Sequence, residues 1–513
     1  MKRSRLDLPL LVSALALGSA AAIAACSSSD DAAPAATPGA DAGANDAATE
    51  AGDDAAADAA DAADAVASFS CAGLPTATVT FAPGEEQALQ DAVNTLADCT
   101  TVQLAAGTFT LDNAVTIRAK GITLVGAGKG AKGEATGTAS STVLAFTGAA
   151  ANTNGLDVVG DLFTVKDLAL WNPKKDAVRI EASHDVKIQR VRTEWATENE
   201  PSNGAYGIYP VKSFNVLVEE CEAYNASDAG IYVGQTVQSV VRNNIAKQNV
   251  AGLEIENCRF ADVYGNTVVD NTAGLVVFDL PGNPIAGTDI RVHDNTVTGN
   301  NRANFAAISA SSSTVSQVPA GTGTFVMASR RVEMFGNSWA DNDTVDVAVL
   351  SGLAIEQDLS KWTPGGDNWA TSDVYVHDNT FQAGTSGTSV DVGHLDVTLR
   401  PLGALVDALY AYGVSTSAVT RVEPLVWDGI DPNPLGATTG DNGAKICFVA
   451  NTLPVGTTYA VADLNFIATA PILESDAGDP AAAWAKTARW AQDGASIFTC
   501  AAFSPALTPI TLP

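Results

Sequence analysis

The chain has 513 residues, 46% of them hydrophobic, 6% aromatic and 17% charged, with a formal net charge of −30. A protein this acidic repels nucleic-acid phosphates, so DNA and RNA are excluded as partners. After an apolar run near the N-terminus, no stretch is long enough to cross a bilayer as a helix.

The first segment opens with Lys2, Arg3 and Arg5, continues through an apolar run from Leu8 to Ile23, and reaches Ile-Ala-Ala-Cys at Cys26. It resembles a bacterial lipoprotein signal, so residues 1–26 are expected to be a signal peptide with lipobox and Cys26 the lipidation site. Ser27, where an inner-membrane protein of that class would carry Asp, implies an outer membrane lipoprotein on the periplasmic or cell-surface side. Residues 27–66 are almost all Ala, Asp, Ser and Pro, with ten acidic residues and no basic ones. Such a segment buries too little apolar surface to offset its chain entropy and reads as an extended tether.

From Ser68 the composition turns globular. Residues 84–99 carry apolar positions at helical spacing with acids in the first turn, which predicts a short amphipathic helix. Residues 101–111 and 115–128 read as the first strands, with the helix capping the open end of the first coil. Cys71 and Cys99 flank that helix, and Cys447 and Cys500 bracket the last segment; in an exported chain both pairs are expected to be disulfides. Cys221 and Cys258 fall at different phases of the repeat and are expected to be separate thiols. Gly126–Gly133 fails the phosphate-loop spacing, because Gly follows Lys132, and is read as a flexible turn.

The centre of the chain repeats itself. Gly207, Gly230, Gly252 and Gly274 open GIYPV, GIYVGQ, GLEIEN and GLVVFDL at steps of 23, 22 and 22 residues, with a looser copy at Ala177. A fixed period of this length marks a stacked solenoid. After each Gly, apolar residues alternate with variable ones, the period of a strand with one buried face. A second strand-like run follows at 215–221, 239–244 and 261–266. A polar turn then recurs at Asn244, Asn266, Asn295, Asn337 and Asn379, where stacked amides can form a ladder. The fold class this predicts is all-β: a right-handed parallel β-helix of about 22-residue coils, with an N-terminal capping helix and an irregular C-terminal cap. Its expected bounds are 67–394 for the β-helix and 395–513 for degenerate coils and cap, the latter with a helical patch at 481–491.

Later coils carry insertions at Pro281–Thr288, about 300–323, and 351–372, the last with Trp362 and Trp369. Asp341–Asp346 lacks the Gly and Glu of an EF-hand loop. His293 and His377 share a column with Phe335 between them, roughly 10 Å apart and too far for one metal, so they read as solvent-facing and no metal site is expected.

NGAYGIYPV, SDAGIYVGQ, NVAGLEIEN and GLVVFDLP closely resemble a family of exported bacterial parallel β-helix repeat proteins within the broad pectate-lyase-like superfamily. The resemblance covers about Thr78 to Thr380 and implies the fold, with no established activity attached. Relatives that act on polysaccharides use a groove along one outer face. Two residues past each coil start stand Arg179, Tyr209, Tyr232, Glu254 and Val276; two further on stand Glu181, Val211, Gly234, Glu256 and Phe278. All should point outward, one coil apart. Aromatic faces beside Arg and Glu suit sugars. For β-elimination or C5 epimerisation of a uronate, Arg179 or Arg192 would neutralise the carboxylate, and Tyr209, Tyr232 or Glu254 would take the C5 proton. Arg192, Tyr206, Gln235, Glu256 and Asp279 are the expected substrate-binding neighbours.

The leader contributes about +2 and the tether −10, which leaves roughly −22 on the body. Residues 118–212 hold twelve Lys or Arg against ten Asp or Glu, a locally basic stretch where an acidic glycan could dock. No cofactor is required, although Ca²⁺ could bridge such a glycan to acids elsewhere. Specific signatures of alginate epimerases (Asp-Pro-His-Glu), polygalacturonases (Gly-His-Gly with Arg-x-Lys) and classical pectate lyases (Arg-x-Pro-x-x-Arg) are missing. The leading expectation is an envelope- or surface-anchored protein that binds an extracellular or envelope polysaccharide and, if it is an enzyme, modifies it by a lyase- or epimerase-type reaction. The alternative is a non-catalytic β-helical scaffold or adhesin whose long loops meet an envelope protein. A hydrolase, which needs carboxylates converging from opposite sides of the bond, ranks last.

Overall fold

The computed structural model describes residues 69–307, 314–356, 359–362, 369–382, 424–430, 443–455, 461–463, 489–491 and 493–513. The leader and tether, Cys26 among them, lie outside the described residues. Among the described residues, no helix is long and apolar enough to cross a membrane.

Each regular coil has three strands. The coil at Gly230 runs through Ala229–Gly234, Val237–Arg242 and Ile245–Lys247, and the next through Ala251–Glu256, Arg259–Tyr264 and Thr267–Val269. The opening strands of successive coils pair in parallel and in register, Ala229 with Ala251, Ala251 with Ala273, Ala273 with Thr322 and Thr322 with Val345. Among the described residues they form a twelve-stranded first sheet, while the second and third strands of the coils make up a twenty-stranded second sheet. Parallel stacking of this kind lets each coil bury an apolar face that it could not bury alone. The architecture is the right-handed parallel β-helix expected from the period.

The interior is the alternating set. Ile208, Ile231, Leu253 and Leu275, with Val233, Ile255 and Val277, are fully buried in one cluster that runs the length of the helix. Trp339, Phe381 and Phe448 extend it as a stack, with ring centroids 5.0 and 5.5 Å apart. Cys221 and Cys258 are separate buried thiols. Both disulfides are formed, Cys71 with Cys99 and Cys447 with Cys500.

The asparagine ladder forms as drawn from sequence. Asn244 Nδ2 donates to Asn266 Oδ1, Asn266 to Asn295 and Asn295 to Asn337, each at 2.9 Å, and Asn337 donates to Asn379 at 3.0 Å. The left-handed residue is the one before each rung: Asn243, Gly265, Asp294, Gly336 and Asp378. A second ladder, which sequence reading missed, links Asn249, Asn271, Asn300 and Asn342 at 3.0 to 3.1 Å. The two ladders close the turns after the second and third strands, satisfying backbone groups that would otherwise be buried without partners.

At the N-terminus the capping helix is Glu86–Val93, shorter than the periodicity suggested, with Leu89 and Val93 against the first coils. Glu85 caps a turn instead of the helix, accepting from Ala82 N at 2.7 Å. Near the C-terminus, Leu425–Trp427 and Ile446–Val449 add parallel strands to the two sheets. Arg489–Ala491 is an antiparallel strand against Val461–Asp463, where a helical patch was expected.

The glycine-rich segment 126–133 is not a free turn. Its backbone lies over the second sheet: Arg192 donates to Lys129 O at 3.0 Å and to Glu134 O at 2.7 Å, and Gly133 N donates to Glu194 at 2.9 Å.

Candidate functional site

The column foreseen along the first sheet exists. Tyr209 lies beside Arg179, Tyr232 beside Glu254, Glu254 beside Val276 and Val276 beside Phe325. The side chains point away from the interior cluster, but they do not all reach water. Exposure is 4% for Tyr232, 1% for Glu254 and none for Val276. The insertions explain this. Leu280, Phe305, Ala306, Val318 and Trp362 pack onto the face with Tyr232, Val276, Phe278 and Phe325 in a second apolar cluster outside the helix. Long loops thus wall and roof the later coils, and the open part of the face is left at Arg179, Tyr206 and Tyr209, which are half-buried.

Two half-buried aromatic rings form that open edge, with the buried Tyr232 ring against them. Tyr206 stacks on Tyr209 with centroids 4.5 Å apart, and Tyr232 contacts both at 4.9 Å. Arg179 stands next to them, yet its charge is taken up: Nη1 lies 3.2 Å from Asp157 Oδ1, and Nη2 bonds Glu181. Lys212 Nζ also lies 3.4 Å from Glu181. The guanidinium expected to neutralise a substrate carboxylate is therefore already neutralised by this chain.

Behind the rings lies a floor of buried carboxyls. Gly234 makes room for it, since a Cβ there would stand 2.3 Å from the Tyr232 hydroxyl. The Tyr232 ring leans across this space, and its hydroxyl hydrogen-bonds Glu256. Gln235 Nε2 donates to the Tyr232 hydroxyl at 3.1 Å and to Glu256 Oε1 at 3.2 Å, and Asn283 Nδ2 donates to the same oxygen at 2.9 Å. Burial pushes Glu256 up to about 7, against these hydrogen bonds and with help from Asp228 and Asp279. Burial, then Asp228 and Glu256, raise Glu254 well above the usual carboxylate range. Glu254 Oε1 is buried and has no hydrogen-bond partner. Burial, followed by Asp176 and Glu256, pushes the Tyr209 phenol up as well.

Sequence reading missed Asp176. It is 2% exposed, burial raises it to about 6 against Lys175 and Arg179, and its Oδ1 also lacks a partner. A signal for it existed: Asp176-Ala177 and Asp228-Ala229 place an Asp just before equivalent strands.

Two expected binding residues lie elsewhere. Arg192 is in the second sheet, fully buried beneath the 127–135 segment and paired with Glu194, because that insertion covers it. Asp279 is fully buried at the root of the 281–287 insertion, accepting from Gly287 N and from Ser329 Oγ at 3.0 Å. There it fastens a loop and acts on Glu256 through charge. The histidines also differ from expectation. His293 and His377 stack on either side of Phe335, at 4.7 and 5.5 Å, and are 13% and 16% exposed. Among the described residues, no group of three or more His, Cys, Asp or Glu side chains could hold a metal ion.

The stacked three-strand coils define a right-handed parallel β-helix with one partly open, aromatic and acidic outer face. Residues 151–319 match the family model described as the right handed beta helix region. No curated protein matches the chain. Among solved structures it is similar to the A-module of the mannuronan C-5 epimerase AlgE4 of Azotobacter vinelandii, at 15% identity and a TM-score of 0.42, over 74% of this chain and 93% of that one. It is also similar to an alginate lyase from Paenibacillus sp. at 14% and 0.38, over 60% and 93%. A third is an enzymatically active domain of tailspike protein 2 from bacteriophage CBA120, at 10% and 0.34, over 57% and 44%. With TM-scores below 0.5, these likenesses carry no conclusion about what this chain binds.

Proposed function

We propose that the open edge of the first sheet binds a polysaccharide. The observation that carries this reading is the cluster of Tyr206, Tyr209 and Tyr232, half-open at one end and backed by Glu254 and Glu256. Ring faces take the apolar faces of sugars, and carboxyls and amides accept and donate to hydroxyls. Glu256, titrating near neutrality and hydrogen-bonded to Tyr232, is the group best suited to move a proton if the bound glycan is also modified. Lyase- or epimerase-type chemistry needs a cation for the uronate carboxylate, and the prior pairing of Arg179 weighs against it. Binding is the stronger half of the proposal.

The test is calorimetry and proton NMR of the full chain with alginate, polygalacturonate and a neutral glucan, with and without Ca²⁺. Saturable binding of a glycan, weakened tenfold or more in Tyr209→Ala, supports the site. New olefinic or inverted-C5 signals would add catalysis. Absence of binding to any polysaccharide removes the reading. We also propose that lipid on Cys26 carries the chain at the outer membrane; the support is the leader sequence. Palmitate labelling that survives Cys26→Ala would refute that anchor.

A further inference from the structure

We infer that the glycan taken by this face carries free amino groups: its ammonium groups would sit against the tyrosine rings and supply the donors that Glu254 and Asp176 lack. The inference rests on the polysaccharide reading above and names the class of sugar.

Three observations meet here. Two carboxyl side chains, 1% and 2% exposed, each keep a buried oxygen with no donor, Glu254 Oε1 and Asp176 Oδ1. A buried polar atom without a partner costs free energy that an arriving donor recovers. Lys175 and Arg179 act on Asp176 through charge, yet neither donates to that oxygen. The groups around both acids add to the demand for a cation. Asp228 lies within electrostatic reach of Glu254, Glu256 and Asp176 alike, and Asp176 and Glu256 both act on Tyr209 through charge.

Secondly, two of the cations at the open edge are already engaged by carboxylates of this chain. Arg179 is held by Asp157 and Glu181, and Lys212 by Glu181. A uronate would have to displace an internal carboxylate to bind there, at the cost of leaving that carboxylate unpaired. An ammonium group displaces nothing.

Thirdly, the faces of Tyr206, Tyr209 and Tyr232 lie within 4.9 Å of one another. Such clusters attract a cation over the rings while still accepting the apolar face of a sugar. At longer range, a body carrying roughly −22 gathers a polycation and repels a polyanion.

A neutral sugar could also present hydroxyl donors, so the experiment separates charge from hydroxyls. Calorimetry of the full chain at neutral pH would compare a glucosamine hexasaccharide with its N-acetylated counterpart and with a glucose hexasaccharide. The glucosamine oligomer should bind at least tenfold more tightly than either. Burial disfavours the charged form of Glu254 and a neighbouring ammonium favours it, so binding should shift the carboxyl toward ionisation and release protons, read from the dependence of the heat on buffer ionisation. Glu254→Gln mimics the protonated side chain, and it should remove both the preference and the proton release. Asp176→Asn provides a second, independent reading of the preference. Equal or tighter binding of the N-acetylated or glucose oligomer overturns the amino-sugar inference while leaving the polysaccharide site standing. If none of the three binds, and alginate and polygalacturonate also fail, the site itself falls.

Discussion

One column of the first sheet contains both a surface and a core. From Arg179 through Tyr209, Tyr232, Glu254, Val276, Phe325 and Ala348 to Val426, every residue occupies the same place in its coil and points to the same side. At one end the side chains are charged or phenolic and meet water. At the other they are apolar and covered by insertions. Backbone geometry is constant along the column, so it does not distinguish the two ends. The insertions of the later coils do: Leu280, Phe305, Ala306, Val318 and Trp362 pack onto one end of the face and leave the other end open. Glu254 stands at the boundary, close enough to the roof to lose water and close enough to the open edge to face the tyrosines.

The sharpest test of the inside against the outside is Ile255→Asp. Ile255 is fully buried among Leu253, Val233 and Val277, and an unpaired carboxylate there has nothing to bond. We expect loss of the cooperative thermal transition in circular dichroism, since the cost of several kcal/mol is comparable to a domain's total stability. Next in size is Phe325→Ala on the outer face. If the roofed end is a true second core, the loss should match that of an interior aromatic, about 3–5 kcal/mol. A change within about 0.5 kcal/mol in chemical denaturation, as for an exposed surface position, would mean that the insertions do not pack on this face.

Periodicity made the fold legible because each coil repeats the same burial pattern. The steps between Gly207, Gly230, Gly252 and Gly274 set the strand phase, and the recurring Asn set the turns. The burial of Tyr232, Glu254 and Glu256 was not legible. Nothing local in GIYVG or GLEIE reports that a loop dozens of residues later will fold across them. The same blindness misplaced Arg192: its strand reads like its neighbours, and only the three-dimensional path of residues 127–135 shows that it is covered. Asp279 was expected beside the column, and its place at the root of an insertion, accepting from Gly287 N and Ser329 Oγ, was equally illegible.

The two ends also differ in how they respond to pH. Glu256 at about 7 and Asp176 at about 6 both lie above their unfolded values of roughly 4.3 and 3.9. A group whose folded pKa is raised contributes stability that is present below the unfolded pKa and lost as pH rises through the folded one. Stability should therefore fall between pH 4.5 and 7, with Glu256 alone accounting for roughly 3 kcal/mol. His293 and His377 change in the same direction. Burial lowers them, but hydrogen bonds to Asp262 and Asp294, and to Glu333 and Asp378, prevail and raise them, so their contribution is lost above about 6.5. Carboxylates lowered by their partners, such as Glu219 and Asp161, oppose this only at more acidic pH. Melting temperature should peak near pH 5, and Glu256→Gln should flatten its decline toward pH 7. A melting temperature that climbs from pH 5 to 7 would contradict the burial of these acids.

The smallest expected effect examines the boundary itself. Tyr232→Ala would remove a ring from the outer core as well as from the open edge, so its consequences could not be assigned to either. Tyr232→Phe keeps the ring against Tyr206 and Tyr209 and removes one hydroxyl. That hydroxyl accepts from Gln235 and hydrogen-bonds Glu256, holding the carboxyl below the value that burial alone would give it. Without it, Glu256 loses one interaction that favours its charged form, and its titration should move further above 7. The stability loss should be about 1 kcal/mol, the net worth of one hydrogen bond. Carbon-13 NMR of the glutamate carboxyls reads the shift directly. A downward or absent shift would show that the hydroxyl does not support the charged carboxylate, and the link between the tyrosine edge and the buried floor would be lost with it.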